Sequence, residues 1–145
     1  MTGDLEGVHV RWGWWLIALY VLAGLALEAL HALKLELYLH PAHEVRRLLW
    51  TLAHTHGTLL GLLHLAFAAT LRWGYVRPGA LCGAASWGLR LAGLLMPLGF
   101  VLGGATHHGG DPGLGVLLVP VGGVALAVSV TCCATAASRS RPSAE

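Results

Sequence analysis

The chain has 145 residues, of which 56% are hydrophobic and 11% are charged, and its formal net charge at pH 7 is +2. So much apolar surface cannot be buried inside one small soluble core, which excludes an ordinary water-soluble domain. The small net charge indicates no nucleic-acid partner, because such proteins carry a strongly basic surface. We therefore expect the lipid bilayer to be the solvent of this protein.

Four apolar segments are long enough to cross a bilayer, whose hydrocarbon core of about 30 Å requires about 20 helical residues. They cover residues 12–36, 47–71, 80–104 and 113–135. Short connections between them predict antiparallel neighbours in an up-down-up-down order. The predicted fold class is therefore all-α, an integral membrane four-helix bundle that forms one transmembrane domain over residues 1–145.

The positions of lysine and arginine at the ends of these segments and in the connections predict the orientation, because cytoplasmic loops carry an excess of both residues. Five lie in the N-terminal tail, the second loop and the C-terminal tail, and three lie in the first loop. The former are Arg11, Arg72, Arg77, Arg139 and Arg141, and the latter are Lys34, Arg46 and Arg47. We expect a multi-pass protein of a bacterial inner (plasma) membrane with both termini in the cytoplasm.

Three histidines interrupt the second apolar segment. An ionisable side chain in hydrocarbon is costly unless it faces the interior of a bundle and has a partner, so these residues indicate a functional site. At about 100° per residue, His54 and His64 share one helix face with Gly57 and Gly61, and this groove admits either another helix or a flat prosthetic group. His56 points in the opposite direction, so, if it is not exposed to lipid, the second helix is expected to contact partners on two sides or a second subunit.

The first segment carries a carboxylate and an imidazole on one face, because Glu28 and His31 are three residues apart. Counted from the first loop, His31 and His54 lie at similar depths, so an antiparallel hairpin brings Glu28, His31 and His54 to one level in the outer third of the membrane. His107 and His108 of the third loop lie just above. These residue types suit copper and zinc. The sequence thus predicts a metal site of Glu28, His31, His54 and one of His107 or His108.

Haem b is the other cofactor that the pattern allows, because a glycine-lined groove between imidazoles can accommodate a porphyrin. His31 and His54 would be the first pair of ligands, with His64 as a second ligand level. His56 is also a candidate. Arg90 of the third segment, or the arginines of the outer loop, would pair with a haem propionate because a guanidinium keeps its charge. His64 has no evident histidine mate in the third or fourth segment.

Residues 53–61 of the second segment read AHTHGTLLG. This run resembles the histidine-bearing helix of small, uncharacterised bacterial four-helix membrane proteins and, more distantly, the first haem-ligand helix of haem-copper oxidase subunit I. The resemblance covers about one helix of four and implies that His54 or His56 is a haem ligand. It does not imply oxidase activity, because the chain lacks the many helices and the copper-site histidine pattern of the full oxidase.

The sequence therefore predicts a membrane protein that binds haem b or a transition metal and acts in electron transfer, sensing or cofactor handling. Its partners would be the bilayer and either a second copy or a respiratory complex. Two alternatives stay open: a cofactor-free accessory or structural subunit whose histidines only connect helices, and a transporter of protons or metal ions. We find no nucleophile with its base, phosphate-cradling loop or dinucleotide fingerprint, so nothing in the sequence indicates an enzyme.

Overall fold

The computed structural model describes residues 2–139, with side chains from residue 4 onwards, and Arg141 of the predicted cytoplasmic tail lies outside this range. Within it the chain is all-helical and contains no β-strand. Of its five helices, four are long and one is a short turn of helix in the first connection. They are α1 (Thr2–Ala32), α2 (Glu36–Leu39), α3 (Glu44–Arg72), α4 (Ala80–Ala105) and α5 (Leu118–Arg139), with 3-10 turns at Pro41–His43 and Leu114–Leu117.

Three stretches of helix are long and apolar enough to cross a membrane, namely Asp4–Ala32, Ala80–Ala105 and Leu114–Arg139. Helix α3 has the length but is not among them, because its three histidines lower its mean hydropathy. A helix of that composition is stable in hydrocarbon only where neighbouring helices cover its polar positions. The packing of α3 is therefore the feature of the fold that matters most for a site.

The four long helices pack in the order α1, α3, α4, α5, and the Cα atoms of α1 and α5 nowhere approach within 8 Å among the described residues. Helix α3 thus lies between α1 and α4, which confirms that it contacts partners on two sides. The outer helices α1 and α5 leave most of their apolar surface exposed, whereas half of the apolar window of α4 is buried. The interior of the protein is formed around α3 and α4.

Glycines let α1 and α3 approach closely. A Cβ atom added at Gly61 would lie 2.9 Å from the carbonyl oxygen of Gly13, and one added at Gly57 would overlap the ring of Tyr20. Small residues at such positions are a main packing device between helices in lipid. The glycine groove that the sequence predicts on the second segment is thus occupied by the backbone of α1 and by Tyr20.

Helix α1 differs most from its predicted bounds, because it begins at Thr2 instead of residue 12. The charged residues before the apolar segment suggest a tail, yet Glu6 forms an exposed ion pair with Arg72 of α3 at 3.2 Å, and His9 is completely buried. This first part of α1 packs against the end of α3 and belongs to the folded interior. The other long helices follow their predicted segments more closely.

Candidate functional site

The most deeply buried polar contact joins α1, α3 and α4. The Nδ1 atom of His9 lies 2.6 Å from the Nδ1 atom of His64, and the Nε2 atom of His9 lies 2.9 Å from the Oγ atom of Ser86. Both histidines are 0% exposed. The ring of His64 stacks on Trp12, and the ring of His9 meets Phe67 edge to face. We refer to His9 and His64 as the buried histidine pair, and Ser86 is its hydrogen-bond partner in α4.

The buried histidine pair has little capacity to bind a ligand. Both ring nitrogens of His9 are already engaged, and so is the Nδ1 atom of His64. The Nε2 atom of His64 has no hydrogen-bond partner among the described residues, but the backbone of α4 is close on that side, since a Cβ atom added at Gly93 would lie 3.3 Å from it. The arrangement therefore connects three helices, with three of the four ring nitrogens already hydrogen-bonded.

The mate of His64 lies in a part of the chain that sequence reasoning treats as a tail. His9, Trp12 and Leu16 follow each other at spacings of three and four residues, which is the pattern of one face of a helix. His9 and Leu16 are buried, and Trp12 is partly buried against His64. This periodicity is the signal that could have revealed that α1 begins before the apolar segment.

A second polar region lies near the other end of α1 and the start of α3. It is a cavity of about 150 Å³ bordered by α1, α2 and α3. The cavity, which we call the polar pocket, is lined by Gly24, Leu27, Glu28, His31, Tyr38, Thr51 and His54. Glu28, His31 and His54 therefore lie around one space, as their predicted depths suggest. Sequence reasoning misses Tyr38 and Thr51, which carry no signal that links them to these residues.

One tautomer of His54 is selected by the backbone of α1. Its Nδ1 atom lies 2.5 Å from the carbonyl oxygen of Tyr20. A carbonyl oxygen only accepts, so Nδ1 carries the proton and donates, which leaves the lone pair of the neutral ring on Nε2. The ring lies against Gly24, where a Cβ atom would overlap it. A histidine whose other nitrogen donates to a carbonyl is the usual arrangement of a metal ligand.

The other two candidate ligands in the polar pocket, Glu28 and His31, are both exposed. The ring of His31 lies edge-on to Tyr38, with 6.5 Å between the ring centres. No group of three or more His, Cys, Asp or Glu side chains among the described residues converges closely enough to hold a metal ion. Coordination in the pocket would thus require Glu28 and His31 to change rotamer, which exposed side chains do within nanoseconds.

His56 faces away from the polar pocket. Its Nδ1 atom donates to the carbonyl oxygen of Leu52 in the same helix at 2.8 Å, and its ring lies 4.9 Å from that of Phe100 in α4. The structure therefore separates His56 from His54 and His31. It is a contact residue on the α4 side of α3, where the sequence analysis predicts a second surface of contact.

Arg90 lies beside the buried histidine pair rather than near the polar pocket. Its Nε atom donates to the carbonyl oxygen of Ser86 at 3.3 Å, and its Cζ atom lies 4.1 Å from the ring of Trp87. Among the described residues no carboxylate pairs with it. The cation is thus stabilised by a carbonyl group and an aromatic face, which removes the need for a propionate partner.

The histidines of the third loop do not border the polar pocket. His107 lies against His43 of the first connection, with 5.5 Å between the ring centres. His108 is exposed and exchanges backbone hydrogen bonds with Asp111 in the turn. The predicted site of Glu28, His31 and His54 is therefore not completed by either loop histidine in this arrangement.

His43 is the centre of a row of three imidazoles, since its ring also lies 5.7 Å from that of His40. Desolvation of the ring lowers the pKa of His43, and the nearby Arg46, His107 and His40 lower it further, while the backbone of Ala42 opposes the shift. Each of these causes except the last disfavours the imidazolium form. His43 is accordingly harder to protonate than a free imidazole.

Comparisons with models of protein families, with curated proteins and with solved structures find no match to this chain. The function is therefore argued from the chemistry of the polar pocket and of the histidines around it. Among the described residues, the polar pocket brings together the carboxylate of Glu28 and the imidazoles of His31 and His54, which the sequence predicts as one site.

Proposed function

We propose that the chain is an integral membrane protein whose four long helices all cross the bilayer as an antiparallel bundle. Three of them have the required length and hydropathy. The fourth, α3, is covered by α1 on one side and α4 on the other, so its histidines need not face lipid. The ion pair between the start of α1 (Glu6) and the end of α3 (Arg72) supports the antiparallel arrangement.

The membrane and the orientation follow from the distribution of lysine and arginine. We propose a bacterial inner membrane with both termini in the cytoplasm, because the N-terminal region, the second loop and the C-terminal region carry more of these residues than the other loops. In this orientation the polar pocket faces the outer leaflet. A ligand would reach it from outside the cell without crossing the hydrocarbon core.

We further propose that the polar pocket binds a divalent transition-metal ion, zinc or copper, in sensing or metal handling. The single observation that carries this proposal is that one cavity is lined by Glu28, His31 and His54. A carboxylate and two imidazoles are the ligand types of three-ligand zinc sites that keep one position open. Such a site exchanges its ion and its fourth ligand more readily than a closed structural site.

Each of the three residues has a distinct part in holding the ion. His54 is pre-oriented, because its Nδ1–H group donates a hydrogen bond to the carbonyl oxygen of Tyr20, which leaves Nε2 as the ligand atom. His31 and Glu28 complete the set by rotating inward from their exposed positions. The positive ion would offset the charge of the Glu28 carboxylate at the edge of the hydrocarbon, where an unpaired carboxylate is unfavourable.

Haem b fits the geometry less well. The polar pocket measures about 150 Å³, whereas pockets for drug-sized ligands span roughly 300–1,000 Å³. The glycine groove that would admit a flat group between α1 and α3 already receives Tyr20 at Gly57. His64, the proposed second ligand level, is hydrogen-bonded to His9. The observations therefore favour a single ion over a porphyrin.

The proposal is tested by zinc titration of the full-length protein reconstituted in nanodiscs, followed by calorimetry and metal analysis. We expect His54→Gln, His31→Gln and Glu28→Gln each to weaken zinc binding at least tenfold. The matched control is His56→Gln, because His56 lies in the same helix and also donates from Nδ1 to a carbonyl oxygen but faces Phe100. Equal affinity in all four variants, or no zinc binding by the wild-type protein, would contradict the proposal.

A second candidate is a cofactor-free accessory or structural membrane subunit. The observation in its favour is that His9, His64, His54 and His56 each make a hydrogen bond within the protein, so they could serve only to connect or to stabilise helices. This candidate predicts that neither zinc nor copper binds with defined stoichiometry. The same titration therefore decides between the two functions.

A further inference from the structure

Two loops meet where α3 begins and α4 ends, and they bring a pair of histidines together. His43 ends the 3-10 turn before α3, and His107 lies in the loop after α4. Their rings are nearly perpendicular, at 77°, with centres 5.5 Å apart. The Nδ1 atom of His43 and both ring nitrogens of His107 are shielded from solvent but form no hydrogen bond with any described residue.

Shielded nitrogen atoms without partners are unfavourable, because they lose their hydrogen bonds with water and gain nothing in return. Three such atoms on two touching side chains indicate that something else satisfies them. A ligand that both rings share accounts for the placement of His43 and His107 better than packing does, since an apolar side chain would fill the same space without this penalty.

The separation of the rings agrees with a shared metal ion. Two imidazoles that hold one tetrahedral ion at about 2 Å from each nitrogen have ring centres about 5 Å apart. The observed distance is 5.5 Å. We propose that His43 and His107 bind a transition-metal ion of the copper or zinc class through one nitrogen each, with water in the remaining positions.

The third ring of the row is not a ligand in this arrangement. The Nδ1 atom of His40 accepts a hydrogen bond from the backbone N–H of Ala42 at 3.2 Å, so the neutral ring carries its proton on Nε2. His40 therefore has no lone pair to offer, although its ring lies 5.7 Å from that of His43. The protein supplies two ligands, which is consistent with a weaker site than one with three.

Groups of both charges lie around the pair. The guanidinium group of Arg46 is nearby, but its N–H groups donate to the carbonyl oxygens of Gly104 and Leu37. Glu44 borders a cleft of about 420 Å³ between the first connection and the glycines of the third loop, and its carboxylate brings a negative charge to the same end of the molecule. This carboxylate offsets part of the repulsion that Arg46 exerts on an aqueous cation that approaches the loops.

This loop site shares no residue with the polar pocket, so the two proposals succeed or fail separately. The test uses the full-length protein in nanodiscs and copper(II) as the probe. The double variant His31→Gln/His54→Gln removes the two pocket imidazoles, and further substitutions are made in that background. Copper binding is followed by calorimetry, and the number of coordinated nitrogens is followed by electron paramagnetic resonance.

We expect the double variant to bind one copper ion with hyperfine structure from two imidazole nitrogens. Adding His43→Asn or His107→Asn should weaken binding at least tenfold and reduce the signal to one nitrogen. Adding His108→Asn, the adjacent exposed histidine, should change neither measurement. If affinity is unchanged by His43→Asn and His107→Asn, or if no copper binds and the shielded nitrogens are satisfied by water alone, the proposal is overturned.

Discussion

The buried histidine pair and the polar pocket both connect α1 to α3 with histidine side chains, yet they differ in what the second nitrogen of each ring does. In the pair, His9 bonds to His64 through one nitrogen and to Ser86 through the other. In the pocket, the Nδ1–H group of His54 donates a hydrogen bond to a carbonyl oxygen, and the ring keeps a lone pair on Nε2. The presence of a histidine in a membrane helix does not show whether it packs or binds a ligand. The hydrogen-bond partners of its two ring nitrogens distinguish the two roles.

The largest effect is expected from a substitution that separates the two helices and so damages both regions. Gly61→Ala places a Cβ atom 2.9 Å from the carbonyl oxygen of Gly13, and a backbone atom cannot move aside locally. We expect a loss of about 1–3 kcal/mol in the free energy of unfolding, together with weaker zinc binding. Unfolding in mixed micelles, followed by circular dichroism, measures the change.

A glycine with open surroundings provides the control for that experiment. Gly123 in α5 has no atom within 4 Å of an added Cβ. Gly123→Ala should be neutral or stabilise the protein by up to about 1 kcal/mol, because alanine favours helix more than glycine does. If Gly61→Ala behaves like Gly123→Ala, the close contact between α1 and α3 is not what supports the two regions.

The next effect should be confined to the buried histidine pair. His64→Leu leaves the Nδ1 atom of His9 buried without a partner, which costs roughly 1–3 kcal/mol. The double variant His9→Leu/His64→Leu removes both polar rings, and Ser86 can bond within its own helix, so part of the stability should return. Zinc affinity should stay within twofold of wild type in both variants. Additive losses in unfolding measurements would show that the two rings do not act as a pair.

An effect on the polar pocket alone is expected at Gly24. A Cβ atom there would overlap the ring of His54 and turn it away from its bond with Tyr20. Loss of such an orienting contact typically weakens metal binding by about 10–100-fold. Gly83→Ala, at a position without neighbours within 4 Å of an added Cβ, is the control. Zinc calorimetry on the two variants should separate them; equal affinities would remove the orienting role of Gly24 and Tyr20.

The smallest effect concerns protonation of His43 in the loops. Because its pKa lies below the ordinary value of about 6.5, the unfolded chain takes up its proton before the folded protein does as the pH falls. The stability that depends on neutral His43 is therefore present above pH 6.5 and is lost in the window below it. An NMR titration in the presence of a chelator measures this pKa. His107→Asn should raise it, and a value at or above 6.5 in the wild type would contradict the environment described for His43.

Sequence periodicity predicts the parts of this molecule that depend on helical geometry. The level shared by Glu28, His31 and His54 follows from counting residues along two neighbouring helices, and these side chains line one cavity. The opposite directions of His54 and His56 follow from 100° per residue, and the two rings contact α1 and α4 respectively.

The remaining features depend on information that local patterns do not contain. Charges before the first apolar segment conceal the true start of α1, so the pairing of His9 with His64 is missed. The loops have no period from which to count, so the meeting of His43 with His107 could not be predicted. The filling of the glycine groove by Tyr20 depends on how two helices dock, which neither sequence alone specifies.

The central claim, a metal ion in the polar pocket, is tested most directly by X-ray absorption at the zinc edge. The His43→Asn/His107→Asn variant isolates the pocket from the loop site, and one equivalent of zinc is added to the reconstituted protein. The account predicts scattering from two imidazoles and a carboxylate oxygen at about 2.0–2.2 Å, with the imidazole contribution lost when His31→Gln and His54→Gln are added. A spectrum of hydrated zinc, or one that these two substitutions leave unchanged, would contradict it.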